Sequence, residues 1–63
     1  MYVLFKKRDD KSEVFWIGEF SPTTGAPRIS KDLTKAHVFS SLADASSYAT
    51  SSGMLDFRVG NRR

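Results

Sequence analysis

The sequence predicts a small α+β domain, in which a mostly antiparallel sheet of three to four strands carries one helix on one face. Three observations predict this fold class. Short runs of aromatic and β-branched residues recur, one later segment has helical spacing, and a stretch with Pro and Gly interrupts the early runs. The predicted order is β-β-β-α-β, within a single domain spanning residues 1–63.

The first two strands are predicted to form a β-hairpin. Tyr2–Lys6 and Glu13–Phe20 are rich in aromatic and β-branched side chains, which favour strands. The polar stretch Lys7–Ser12 between them contains Asp and Ser, whose side chains can hydrogen-bond their own backbone in a turn. Ser21–Pro27 then breaks the pattern. A short third strand is predicted at Arg28–Ser30.

The helix is the best-defined element. Residues 41–44 fit a capping box, with serine at the N-cap and an acidic residue at N3. Gly53 lies where a C′ glycine would end the helix, and Met54 is expected to fold back over Ala49. The side that faces the sheet is predicted to carry Leu42, Ala45 and Ala49.

Two further stretches are predicted to be extended. Lys35–Phe39 extends or restarts a strand before the helix. Leu55–Val59 alternates apolar and charged residues, which is typical of a strand with one wet face. Its apolar members, Leu55, Phe57 and Val59, are expected on the face that the helix covers. Residues 60–63 are predicted to be a frayed tail.

The second strand carries more apolar side chains than one helix can cover. Because strand side chains alternate, Val14 and Trp16 share one face while Phe15 and Ile17 share the other. One of these sets must lie outside the helix-covered core. Two interpretations stay open. Strand curl, the Ser21–Lys35 segment or lysine stems cover that set, or it forms a surface for a second copy of the chain or a target protein.

Composition excludes several classes of protein. The 63 residues contain no cysteine and a single histidine, which excludes disulfides and a zinc site, and no cofactor is predicted. No stretch approaches the roughly 20 apolar residues of a membrane span, and the first residues lack the order of a signal peptide. We expect a complete small protein that acts in the cytoplasm. The net charge of +3 permits contact with nucleic acid or acidic proteins but requires neither.

Catalytic chemistry is not predicted. His37 is the one histidine, and Asp32 is near enough in sequence to hydrogen-bond it, but no serine lies in a nucleophile-elbow motif. The adjacent carboxylates of Asp9 and Asp10 lie among basic residues and are interpreted as turn and solubility chemistry. The chain is therefore predicted not to be an enzyme.

Two stretches carry a resemblance to a group of known proteins. "KAHVFSSLADASSYA", residues 35–49, and the aromatic hairpin stretch "EVFWIGEF", residues 13–20, resemble a theme common in small phage and prophage accessory proteins. In that theme a strand ending in Phe-x-Ser precedes a helix that opens with an acidic residue and an alanine. In build the chain is similar to some small anti-CRISPR proteins. The resemblance implies a viral protein of the host cytoplasm that inhibits a host factor, such as a defence system, by occupying its surface.

The leading hypothesis is a protein-binding module, which contacts a host protein or a second copy of itself. Its predicted contact residues are aromatic or apolar, with a basic rim: Phe15, Trp16, Ile17, Lys6, Lys7 and Arg8. The alternative is an RNA- or DNA-binding protein that uses an aromatic sheet face and a basic edge. That edge requires the last strand to lie beside the first, and its further residues are Lys11, Arg58, Arg62 and Arg63.

Overall fold

The computed structural model describes residues 1–62 and shows a four-stranded antiparallel sheet with one α-helix and a single turn of 3-10 helix. The elements are β1 (Tyr2–Lys7), β2 (Glu13–Phe20), β3 (Pro27–Ser30), the 3-10 helix (Leu33–Lys35), α1 (Leu42–Ser51) and β4 (Arg58–Asn61). The strand order is β3-β2-β1-β4. The predicted fold class and element order are confirmed.

The turn between β1 and β2 is built from the polar residues that predicted it. The Arg8 amide donates to the Ser12 carbonyl at 2.8 Å, which closes the hairpin. The Asp10 carboxylate accepts from the Ser12 amide at 3.0 Å and from the Ser12 hydroxyl at 2.6 Å. Lys11 adopts a positive φ of 66° at the tip. Local hydrogen bonds of this kind explain why Asp and Ser favour turns.

Beyond the turn, β1 and β2 separate and a later segment enters between them. The two strands pair from Phe5 opposite Phe15 to Lys7 opposite Glu13. Farther from the turn, the Trp16 carbonyl accepts from the His37 amide instead, at 2.9 Å. Tyr2 and Phe39 exchange two backbone hydrogen bonds of 2.9 and 2.7 Å. The stretch predicted to extend or restart a strand at Lys35–Phe39 therefore contributes only a β-bridge, at Phe39.

The helix begins and ends as its sequence signals predict. The Ser41 hydroxyl accepts from the Asp44 amide at 3.1 Å, which caps the first turn. At the other end Gly53 has φ +75°, and the Met54 amide donates to the Ala49 carbonyl at 2.8 Å. This is the Schellman arrangement, and it directs the buried Met54 back onto the helix as expected.

The main core lies between α1 and one face of the sheet. Its buried residues are Leu4, Trp16, Phe39, Ala45, Ala49, Met54 and Phe57. The helix supplies only the two alanines, so the helix backbone lies close to the sheet and the strands and loops provide most of the apolar volume. This helix-covered side holds Leu4 of β1 and Trp16 of β2, both at most 2 % exposed.

Two leucines predicted to join this core are on the surface instead. Leu42 is 55 % exposed, because it is the first residue of the helix and the helix docks through Ala45 and Ala49. Leu55 is 78 % exposed, because the predicted strand start is a turn in which the Phe57 amide donates to the Met54 carbonyl at 3.1 Å. Met54 and Phe57 face inward, and Leu55 lies at the tip between them.

The predicted frayed tail is largely ordered by β-pairing. Gly60 and Asn61 belong to β4, where they lie opposite Val3 and Tyr2 of β1. The Arg62 amide then donates to the Met1 carbonyl at 2.8 Å. These cross-strand bonds replace bonds to water and hold the segment in the sheet. Arg63 lies outside the described residues.

Candidate binding surface at the turn end of the sheet

Trp16, a predicted contact residue, is part of the core and is not accessible to a partner. Its side chain is 2 % exposed, and its indole N–H donates to the Glu19 carbonyl at 3.0 Å. The ring stacks with Phe39 and Tyr48, at centroid distances of 6.2 and 4.9 Å. The assignment of Trp16 to a binding surface was therefore wrong, because this face of β2 is the one that the core uses.

Phe15 and Ile17 lie on the opposite side of the sheet, which we call the far face. Val3, Phe5, Phe15 and Ile17 form its apolar part. Val3 is only 2 % exposed, while the other three side chains are half-buried. Helix α1 packs on the other side of the sheet, so another part of the chain must bury these residues.

The segment before the helix accounts for part of that burial. His37 and Phe39 both direct their rings toward Trp16 on the helix-covered side. Ala36 is extended, so alternation places its side chain on the far-face side. It is 7 % exposed, and the 3-10 helix before it packs against β2. The chain therefore covers part of this side of the sheet itself, next to β2, which supports the first of the two interpretations.

A concave surface lies at the turn end of the sheet, where β1, β2 and β4 meet. An open cleft of 620 Å³ is lined by Phe5, Lys6, Lys7, Glu13, Asp56 and Arg58, and we call it the basic cleft. Backbone register explains the grouping, because Phe5 lies opposite Arg58 and Lys7 lies opposite Glu13. An adjoining hollow of 400 Å³ shares Lys6, Lys7 and Asp56 and adds Arg8 and Ile29 among its lining residues. The three predicted rim residues thus come together here.

The cations of the basic cleft differ in what holds them. The Lys6 ammonium lies 3.2 Å from the Asp56 carboxylate and 5.1 Å from the centre of the Phe57 ring. Lys7 and Arg58 have no carboxylate at ion-pair distance within residues 1–62. The cleft therefore contains one compensated cation and two cations that remain available.

Phe5 forms the apolar floor of the cleft, and a glycine sets the position of its ring. A Cβ atom added at Gly60 would lie 2.9 Å from Cε1 of Phe5, closer than real Cβ atoms approach. The Phe5 ring thus lies over Gly60 of the neighbouring strand, in space that the side chain of any other residue at position 60 would fill. No local sequence pattern marks Phe5 as a site residue, because its partners Arg58 and Gly60 lie far away in the chain.

The basic edge required by the nucleic-acid alternative forms only in part. The last strand does lie beside the first. However, β4 runs away from the turn, so Arg58 lies near the turn end while Arg62 lies beside Met1 at the opposite end. Lys11 is at the exposed tip of the turn. Arg63 falls outside the part of the chain that the structure describes.

His37 and Asp32, considered together as a catalytic pair, have separate structural roles. The His37 ring makes edge contacts with the rings of Trp16 and Phe39, at centroid distances of 5.2 and 4.8 Å. The Asp32 carboxylate caps the 3-10 helix by accepting from the Thr34 amide at 2.9 Å and the Thr34 hydroxyl at 2.6 Å. Asp32 therefore bonds with Thr34, and the sequence suggestion that it bonds with His37 was wrong.

These two hydrogen bonds lower the pKa of Asp32 below its ordinary value, the one from the Thr34 hydroxyl contributing most. A lowered folded-state pKa stabilises the fold above the unfolded-state pKa, and this stabilisation is lost as the pH falls through the folded-state pKa. In a Thr34→Val variant the pKa of Asp32 should rise. A carboxyl-carbon NMR titration would measure it, and Asp10, bonded to Ser12, serves as the internal control. An unchanged pKa of Asp32 would contradict this account.

Comparison of the chain with protein-family models, curated proteins and solved structures found no match. Within residues 1–62, the His, Asp and Glu side chains do not gather into a group that could hold a metal ion. The helices of that same part are too short and too polar to cross a bilayer. The case for the candidate site therefore rests on the geometry and charge of its own residues.

Proposed function

We propose that this chain is a non-enzymatic binding module that docks onto a partner protein through the basic cleft and the adjoining far face. The observation that carries the proposal is the cleft itself. It joins an aromatic side chain, Phe5, to two cations, Lys7 and Arg58, that have no ion-pair partner within residues 1–62. Aromatic and arginine side chains are the anchors that protein interfaces favour. Phe15 and Ile17 extend the apolar surface away from the cleft.

The pattern of charge favours a protein over a nucleic acid as the partner. The turn end of the sheet carries both signs: Lys6, Lys7, Arg8, Lys11 and Arg58, with Asp9, Asp10, Glu13 and Asp56. A nucleic-acid backbone presents one sign of charge at every step, and carboxylates along its path weaken binding. A protein surface can match an alternating pattern, because it carries both signs itself.

The resemblance to small phage accessory proteins supports a bacterial host protein as the partner. A chain of 63 residues has a large surface for its volume, and such a chain can inhibit by covering a functional region of a larger protein. The resemblance implies that this partner is a host factor, such as a defence protein, and that binding inhibits it.

The test is affinity capture from a nuclease-treated bacterial lysate with three chains. They are the wild type, the double variant Lys7→Glu/Arg58→Glu, and the control Arg28→Glu/Lys35→Glu. The two variants change net charge equally, and neither control residue lines the cleft. Circular dichroism checks that all three are folded.

We expect the wild type and the control variant to retain the same proteins, and the cleft variant to lose them. Retention of the same proteins by all three chains would show that the cleft is not the contact surface. A parallel capture from untreated lysate tests the alternative, because material retained only there would show that nucleic acid is the ligand.

A further inference from the structure

The arrangement of side chains in the basic cleft defines the chemistry of what it can hold. Arg58 lies directly across the strand pair from Phe5, so their Cβ atoms are about 5 Å apart. Lys7 is two residues beyond Phe5 and projects from the same face, about 7 Å along the strand. An apolar ring therefore lies beside two positive charges on one surface.

The number of unpaired cations in the cleft determines how many carboxylates it can bind. Asp56 already compensates Lys6 at 3.2 Å, so Lys6 helps to form the wall without needing a further partner. Lys7 and Arg58 lack such a partner among residues 1–62, while Arg28, on β3 at the opposite edge, pairs with Glu19 at 3.6 Å. Glu13, opposite Lys7 in register, reduces the net positive charge. The cleft thus suits one or two negative groups better than a continuous run of them.

We propose that the basic cleft binds an acidic peptide segment of the partner protein, an inference that rests on the proposed function. An apolar side chain of the segment packs on the Phe5 ring, and a neighbouring carboxylate is bound by the guanidinium of Arg58 and the ammonium of Lys7. The guanidinium can donate two parallel hydrogen bonds to a carboxylate. The volume of 620 Å³ falls in the usual range of binding clefts, about 300–1,000 Å³.

The test is an NMR titration of the full chain, labelled with nitrogen-15, against defined probes. The first probe is a blocked peptide of alternating glutamate and leucine. Its control is the matching peptide of lysine and leucine, and the third probe is oligothymidylate. The protein variants are Arg58→Gln and its matched control Arg28→Gln, which removes the same charge at the far edge of the sheet.

We expect saturable amide shifts at Phe5, Lys7 and Arg58 with the glutamate peptide and none with the lysine peptide. Loss of a charge-assisted hydrogen bond should weaken binding about tenfold in Arg58→Gln. Arg28→Gln should bind as the wild type does. Equal weakening in the two arginine variants would show that net charge alone explains the effect, and it would overturn the proposed site.

The remaining outcomes separate this inference from the proposed function. If no probe shifts the cleft residues but lysate capture still depends on Lys7 and Arg58, the acidic-peptide chemistry is overturned and the binding module stands. If oligothymidylate shifts the cleft residues and the peptide does not, the ligand is nucleic acid, and both proposals fail. If the peptide binds but lysate capture ignores the cleft, the proposed docking surface fails, and with it the partner assigned to the peptide site.

Discussion

Replacing Trp16 with alanine should remove most of the free energy of unfolding of this protein. The indole is 2 % exposed and contacts Phe39, Tyr48 and His37. Truncating a buried tryptophan costs about 3–5 kcal/mol, through lost burial and the cavity left behind. A domain of this length has a free energy of unfolding of only about 5 kcal/mol. Urea denaturation followed by far-ultraviolet circular dichroism measures the loss, since the variant has no tryptophan fluorescence.

Phe15→Ala is the matched control for the tryptophan variant. Phe15 is the adjacent residue of β2, but it is half-buried on the far face. We expect its truncation to cost about 1–2 kcal/mol, in proportion to the smaller apolar area removed from the protein interior. A loss from Phe15→Ala as large as that from Trp16→Ala would show that the far face stabilises the fold as much as the helix-covered core.

Gly18→Ala should cost about 2–3 kcal/mol of stability, the second largest effect that we predict. Gly18 has φ +98°, a conformation that residues with a Cβ atom rarely adopt. A Cβ atom there would also lie 3.0 Å from Nδ1 and 3.3 Å from Cβ of His37. The cost of backbone strain and the cost of crowding against His37 therefore add. Chemical denaturation of the purified variant measures their sum.

Gly25→Ala separates the two contributions. Gly25 has a similar positive φ of 73°, but a Cβ atom there would meet nothing within 4 Å. Its substitution should therefore cost only the backbone term, about 1 kcal/mol. Adding His37→Ala to the Gly18 variant should also recover part of the loss, which a double-mutant cycle would measure. Equal losses at the two glycines would mean that His37 moves aside freely.

The elements that sequence analysis predicted well depend on residues close together in the chain. The capping serine Ser41 acts on Asp44, and Gly53 sets the path of Met54 within two residues. The prediction for Leu55 failed because alternation of apolar and charged residues also occurs in a short turn. Only the contact of Met54 and Phe57 with the core distinguishes the turn from a strand.

The candidate site was only partly predictable, because it brings together residues that are far apart in the chain. Alternation correctly placed Phe15 and Trp16 on opposite faces of β2, but it did not indicate which face the helix would cover. Clustering in the sequence brought out Lys6 and Lys7, which do line the cleft. The pairing of Phe5 with Arg58 depends on the register between the first and last strands, and a single sequence does not encode that register in any local pattern.

The entry of the 37–39 segment between β1 and β2 makes folding of the sheet depend on contacts that are distant in the chain. Tyr2 of β1 needs both Phe39 and Asn61 as pairing partners. Such contacts have high contact order, and the large loops that they close slow the folding step. The hairpin of β1 and β2 pairs locally, but its core face has no cover until α1 and β4 join it. Trp16 therefore stays exposed to solvent until the last elements of the chain have docked.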